Sequence, residues 1–415
     1  MVAKKAIESI AKEILNKTRT QNLIEDKKAI KDMIKKIELS IKKNKIDAKV
    51  LLGGSAAKGT FIGNDYDIDI FIMFNYKKYK DQNENLSKLL KKILKGFKAV
   101  MVHGSRDYYQ INKRFEIIPV LHVKNPKDVL NVTDASPLHV KWVESAIKKS
   151  KNKNIQEDIK LTKLFFKSCQ VYGAESYIKG FSGHVTDILT IYYGSFLKTI
   201  EAISKWKNET KIDIENHKTF LDISKTFGPL TIIDPVQPNR NAAAALGTEC
   251  YNKAIKSSKA FLKKPNIKYF EIKEFNLNDI KKKYNLIIKA KPLNGKQDIV
   301  GAKLMKSYKF IKKEIKLYNV KKSGWYWDKN KVSYFYYNIE NTDIPKEYIQ
   351  TGPKTEHIEH VKVFKAKYKN AYLDKKEDRW FSTVKRKITN IKKQIIQSAK
   401  DEQLKYKVGG IEIVK

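Results

Sequence analysis

Cysteine is nearly absent: the 415 residues hold two, Cys169 and Cys250, with no CxxC pair and no Cys/His cluster. That excludes a disulfide framework and a thiolate zinc site, and suits a reducing, cytoplasmic compartment. Long apolar runs are missing too, so no segment reads as a membrane span, and the charged N-terminal stretch lacks the apolar core of a signal peptide. Acidic residues are scarce beside basic ones, 45 against 85, which leaves a formal net charge of +40. An excess of that size, spread along the chain, attracts polyanions and favours a long binding surface over one localisation signal. No internal repeat or long low-complexity tract is visible.

Apolar periodicity organises what remains. Residues 3–44 predict two amphipathic helices, with Ile7, Ile10, Ala11 and Ile14 on one stripe and lysines opposite. Packing of these helices against a neighbouring domain is the expectation. The stretch 48–125 alternates strand and helix signals. "KVLLGGS" is a short strand entering a turn, "DYDIDIFIMF" a strand with period-two alternation, "NLSKLLKKILKGF" a helix and "RFEIIPVLHV" a strand again. From Pro137 to Lys205 the pattern is mostly helical. Beyond "KKPNIKYF", charged, aromatic and strand-like pieces mix, among them "YNLIIKAKP", "VSYFYYNI" and "HIEHVKVFKAKY", before a lysine-rich helix over 385–400. The fold class expected is α+β, divided into a head (1–135), a helical neck (136–255) and a mixed α/β body and tail (256–415).

One segment carries chemistry. In "GGSAAKGTFIGNDYDIDIFIMF", from Gly53 to Phe74, residues two apart on the strand point the same way. Asp67 and Asp69 therefore project together while Ile68, Ile70 and Ile72 face a core. Two close carboxylates repel unless a cation sits between them, and an all-oxygen set suits Mg²⁺. A third carboxylate is expected from a neighbouring strand, and Glu116, flanked by apolar Phe115 and Ile117, is the candidate. Upstream, Gly53 and Gly54 permit close backbone approach to a phosphate, Ser55 adds a hydroxyl and Lys58 a positive charge. A phosphate cradle beside paired carboxylates is the apparatus of metal-assisted phosphoryl transfer.

The order "GGSAAKGT…DYDIDIF" resembles the signature of the polymerase-beta-like nucleotidyltransferases. "SPLHVKW" at 136–142, "KLFFKSCQVYGAE" at 163–175, "IKGFSGHVTDILTIYYGSF" at 178–196 and "IIDPVQPNRNAAAAL" at 232–246 narrow the resemblance to the archaeal-type (class I) CCA-adding enzymes. "TGPKTEHIEHVKVFKAKY" at 351–368 is similar to that family's C-terminal region. The resemblance implies a CCA-tRNA nucleotidyltransferase that adds C, C and A to the tRNA 3′ end from CTP and ATP without a nucleic-acid template. It implies Mg²⁺ held by Asp67, Asp69 and Glu116. In this family the first acid is often Glu and the third Asp, the reverse of what stands here. Gly54, Ser55 and Lys58 match positions that contact the triphosphate, Lys58 standing where Arg is common. His139, Lys163 and Tyr172 match further nucleotide-binding positions, and Arg240 matches the arginine that helps choose the base together with RNA backbone. Ser136 and His103 lie beside matched segments and complete the candidate set.

Lys163 and Tyr172 are nine residues apart and cannot share a face of one straight helix. If both touch one nucleotide, the helix must end before Tyr172 and the chain must turn back at Gly173. For the RNA, the resemblance implies recognition of the tRNA acceptor arm and elbow by shape and backbone. Lysines interleaved with Trp325, Tyr326, Trp327 and Tyr334–Tyr337 suit that task and equally suit ordinary sheet packing. A homodimer stays open. The competing readings are a poly(A) polymerase or other terminal transferase, and an inactive tRNA-binding protein.

Overall fold

The computed structural model describes residues 2–18, 23–63, 67–207 and 209–415. The chain divides into two compact units, 1–273 and 274–415. Asp65 and Tyr66, at the start of the expected acidic strand, lie outside the described residues.

The first unit opens with helices α1 (Val2–Lys17) and α2 (Leu23–Lys43), as the apolar spacing predicts. Strand β1 (Ala48–Leu52) leads into the short helix α3 (Gly54–Lys58), and β2 (Ile68–Phe74) follows. After α4 (Tyr76–Tyr79) and α5 (Leu86–Ile93) come β3 (Ala99–Val102), β4 (Tyr108–Ile111) and β5 (Phe115–Leu121). The five strands form one sheet in the order β1-β2-β5-β4-β3. Only β2 and β5 run parallel within it; the other neighbours are antiparallel.

Strand alternation decides which face carries chemistry. Ile68, Ile70 and Ile72 have no exposed surface and pack with Ile37 and Ile41 of α2, Leu86 and Leu90 of α5, and Phe115 and Ile117 of β5. Each such side chain contributes about 1.5–3 kcal/mol by leaving water. The intervening residues turn to the other face, where Phe71, Val120 and Val140 form a small core with Ala57, Met73 and Ile118. Asp69 belongs to that second face, which is covered by α3 and by helix α6 (Ser136–Lys149), the helix that carries Val140.

Helices α6 (Ser136–Lys149), α7 (Ile155–Ser168), α8 (Gly183–Tyr193) and α9 (Phe196–Ser204) supply the predicted helical stretch. The strands β6 (Thr210–Ile212) and β7 (Leu230–Ile232) flank α10 (Ile223–Thr226), and α11 (Thr248–Lys263) closes the unit. A core rich in aromatics holds these together: Phe165 meets Phe196, Phe261 and Phe270 edge-on at 5.5–6.0 Å. Ile7 and Ile14 of α1 join this core, whereas α2 packs on the sheet.

In the second unit, α12 (Leu277–Lys283), β8 (Leu286–Ala290) and α13 (Gln297–Glu314) precede the hairpin β9 (Val320–Trp327) and β10 (Ser333–Ile339). Then come β11 (Glu347–Lys354), α14 (Ile358–Lys367), β12 (Ala371–Asp374), β13 (Arg379–Lys385), α15 (Ile391–Ala399), α16 (Glu402–Lys405) and β14 (Ile411–Ile413). Two sheets result, β14-β8-β10-β9 and β11-β13-β12. Two expectations need correction. "HIEHVKVFKAKY" was grouped with the strand-like pieces but forms α14, which seats Phe364 under Gly352 of β11. The C-terminal helix begins at Ile391, because Lys385 still belongs to β13.

Candidate active site

The glycine turn is built around one carboxylate. Gly53 donates its N–H to the Asp69 carbonyl at 2.7 Å, which ties the turn to β2. Gly54 has φ +56°, and a Cβ there would lie 1.6 Å from Asp69 Oδ2. No side chain other than hydrogen fits at that position. Ser55 and Lys58 follow on α3.

Register supplies the second acid. In the parallel β2–β5 pair, Asp69 stands opposite Glu116. Burial and the neighbouring Asp67 push the Asp69 carboxyl up to about 6, against the pull of Lys58. Burial, then Asp69 and Asp67, push Glu116 up to about 7, opposed by a hydrogen bond from Tyr108 Oη at 3.3 Å. Tyr108, on β4, is itself held well above the usual phenol range by burial and Glu116. Asp67 thus raises both neighbouring carboxyls and Asp69 raises Glu116, a concentration of negative charge that favours a bound cation.

A cationic cluster gathers around Asp187 of α8, a residue with no exposed surface. Lys58 Nζ lies 2.6 Å from Asp187 Oδ2, and Lys163 Nζ lies 2.9 Å from Oδ1. Lys163 also donates to Thr60 Oγ1 at 2.9 Å and to the Thr60 carbonyl at 3.3 Å. Burial raises Asp187, but the two lysines outweigh it and hold its carboxyl down to about 2. Burial brings Lys163 down to about 8, with Asp187 opposing and Lys58 assisting. Tyr172 belongs to the same neighbourhood: burial, Asp187 and Glu175 push its phenol up. α7 ends at Ser168, and Gly173, with φ +118°, turns the chain so that Tyr172 bridges to Phe181, the turn-back expected if Lys163 and Tyr172 serve one nucleotide.

Asp234, also without exposed surface, organises a second cluster. It accepts from His139 Nε2 at 3.0 Å, Arg240 Nη1 at 2.6 Å and the backbone N–H groups of Val236 and Gln237 at 2.9 and 3.1 Å. Burial would raise its carboxyl, yet His139 and these donors hold it below the usual range. His184 lies with its ring 4.3 Å from that of His139, and burial and His139 bring its imidazole down to about 3. His184 and Asp187 are three apart on α8, so one helix face serves both clusters.

Among the described residues, the group of His, Cys, Asp and Glu with ligand atoms within 4.8 Å of one another is His139, His184 and Asp234. Its two nitrogens suit transition metals, and the Asp234 oxygens are already engaged by N–H donors. By donor type the all-oxygen set of Asp67, Asp69 and Glu116 suits a hard divalent cation better, although among the described residues its oxygens do not all lie within 4.8 Å of one another.

Three family profiles cover most of the chain: "Nucleotidyltransferase domain" over residues 34–118, "tRNA nucleotidyltransferase, second domain" over 157–271 and "CCA-adding enzyme, C-terminal domain" over 286–408. The CCA-adding enzyme of Nanoarchaeum equitans is 38% identical over 267 residues, 61% of this chain and 64% of that protein. For the first two relatives the match spans less than two thirds of their length, 59% in the case of Pyrobaculum aerophilum. The CCA-adding enzyme of Saccharolobus islandicus is 30% identical over 88% of this chain and 86% of its own. The chain belongs to the archaeal-type CCA-adding enzymes. Its fold is shared with the Cid1 RNA terminal uridylyl transferase, at TM-score 0.51 and 12% identity over 64% of this chain and 98% of that one.

In this CCA-adding family member, the predicted residues fall into groups rather than one contact set. Gly54 lies against Asp69, which stands in register with Glu116, while Asp67 is exposed just ahead of β2. Lys58 and Lys163 both pair with Asp187, near Tyr172, and His139 and Arg240 share Asp234. Ser136 opens α6 one turn ahead of His139. His103 pairs with Asp107 at 3.0 Å in the β3–β4 turn, in neither cluster. A cleft of about 570 Å³ beside that turn, walled by Lys88, Met101, Arg106 and Tyr109, is lined by none of the predicted residues. Asp187, Asp234, His184 and Tyr108 were not anticipated. The first three lie inside the quoted "GHVTDIL" and "IIDPVQPNR" segments, and a charged residue amid apolar neighbours was the available signal.

Proposed function

We propose that this chain adds C, C and A to the 3′ end of tRNA from CTP and ATP, without a template, by attack of the RNA 3′-hydroxyl on the nucleotide α-phosphate. The curated relatives and the C-terminal profile support CCA addition. The observation that carries the chemistry is the pairing of Asp69 with Glu116 across β2 and β5, with Gly54 pressed against Asp69.

Asp67, Asp69 and Glu116 would hold Mg²⁺, whose bound charge would favour the attacking alkoxide and the pyrophosphate leaving group. Ser55, Lys58 and Lys163 face the triphosphate in this reading, so that two ammonium groups offset its charge. Tyr172 lies beside them with its phenol protonated. Arg240, held by Asp234, retains a 40% exposed side chain that can reach a base or RNA phosphate. His139, on the same carboxylate, orders that side of the site. No protein nucleophile is required; alignment and charge compensation supply the acceleration.

The division into head (1–135), neck (136–255) and body with tail (256–415) goes with this reading. In the second unit, Phe335 and Tyr337 have no exposed surface and serve the core, which leaves other rings for RNA. Phe275 and Tyr326 stack at 3.8 Å, with Tyr334 alongside, a surface suited to tRNA. Among the described residues no helix is long and apolar enough to cross a membrane.

The test is nucleotide choice. Offered all four nucleotides and either tRNA lacking its CCA or an unrelated RNA, the protein is expected to extend the tRNA alone, with C and A. Repeated addition of one nucleotide to any RNA end would favour a terminal transferase instead.

A further inference from the structure

We propose that Asp187 is a positioning residue for nucleotide binding, holding Lys58 and Lys163 together as a two-ammonium grip for the triphosphate of the incoming nucleotide. This rests on the nucleotidyltransferase reading above and assigns a role to a residue outside the predicted set.

Asp187 is a fully buried acid on the buried face of α8, whose neighbouring positions Thr186, Ile188, Leu189 and Thr190 are also buried. A carboxylate there is stable only when paired. Its two ion-pair partners come from elements far apart in the chain: Lys58 from the glycine turn beside Asp69, and Lys163 from α7. The carboxylate thus joins the part of the molecule that holds the acids to the part that carries Tyr172.

Charge arithmetic argues against a purely structural pair. Two ammonium groups and one carboxylate leave a net positive charge, so the cluster still attracts an anion after internal pairing. Lys163 is 4% exposed along its side chain, and burial already brings it down to about 8. The charged groups facing it are Asp187 from α8, Lys58 from α3 and Lys167 on its own helix. Asp187 alone among these favours the ammonium form. Without it, Lys163 would discharge closer to neutrality and Lys58 would lose its anchor. A lysine is a point charge on a flexible stem, unlike the arginine common at the Lys58 position, and gains more from being fixed in advance.

The experiment uses the full-length protein with Asp187→Asn and Asp187→Glu. Equilibrium titration with CTP and with ATP in Mg²⁺, without RNA, is run across pH, alongside steady-state KM, kcat and thermal unfolding. Asp187→Asn is expected to weaken both nucleotides by about tenfold or more while tRNA KM stays within about twofold. The pH above which nucleotide affinity falls should move downward, a change a scaffold residue would not produce. Asp187→Glu, which keeps the charge, should restore the pH profile with incomplete recovery of affinity. Should Asp187→Asn lose its unfolding transition, the Glu variant carries the test through its affinity. A folded variant with wild-type affinity and pH profile would overturn the proposal. Failure of the wild type to incorporate C or A would sink the CCA reading separately, since the nucleotide titrations do not depend on turnover.

Discussion

Asp69 on β2 and Glu116 on β5 stand directly opposite each other across the one parallel strand pair of the sheet. Both carboxyls are raised, to about 6 and about 7, by burial and by mutual repulsion with Asp67. Stability is thereby conceded at this pair, which in the proposed reading a divalent cation completes.

Asp69→Asn should therefore abolish nucleotide addition and yet stabilise the metal-free protein. A carboxyl raised in the folded state binds more protons folded than unfolded between its ordinary value and about 6, so its contribution falls as pH rises through that window. The substitution should add about 3 kcal/mol near pH 8 and little near pH 4. Thermal unfolding in chelator at the two pH values checks this, and an equal gain at both would contradict it.

His184 has the opposite sign. Its imidazole titrates near 3 when folded and near 6.5 when free, so the unfolded chain binds the extra proton first as pH falls. Stability is complete above about 6.5 and is lost toward 3, by up to about 1.4 kcal/mol per pH unit. His184→Phe should flatten that acid limb in a denaturant series at pH 7, 6 and 5. An unchanged slope would show that His184 is not held neutral.

Gly54→Ala tests the cradle. The added methyl would overlap Asp69 Oδ2 at a φ of +56° that alanine disfavours. Turnover should fall by more than about a hundredfold and stability by about 2–4 kcal/mol. Wild-type kinetics in this variant would mean that the turn lies elsewhere.

Much of this site was legible because strand alternation is a strict geometric rule. It placed Ile68, Ile70 and Ile72 inside, turned Asp69 outward and pointed to Glu116 on a neighbouring strand. Spacing also indicated that α7 should stop before Tyr172 if Lys163 and Tyr172 share one nucleotide, and α7 does end at Ser168. Asp187 and Asp234 were not legible, since a single buried acid has no period and its meaning depends on partners distant in sequence. The β3–β4 hairpin went unread, for its exposed Val100 and Met101 break the alternation that marks a half-buried strand. In α14, alternating Val361, Val363 and Lys residues mimic a strand, and seating of Phe364 against β11 decides for the helix.

Asp234→Asn should loosen His139 and Arg240 together. We expect kcat/KM for both CTP and ATP to fall by about 10–100-fold, with the double variant Asp234→Asn/Arg240→Ala little worse than the single one. Additive losses would show that Asp234 and Arg240 act independently.

The most direct measurement is incorporation of labelled CTP and ATP into tRNA lacking its last three nucleotides, with Mg²⁺, by the wild type and by Asp69→Ala. The account predicts products that stop at CCA with the wild type and no extension with the variant. Extension by Asp69→Ala, or tight tRNA binding by the wild type with no incorporation, would contradict it.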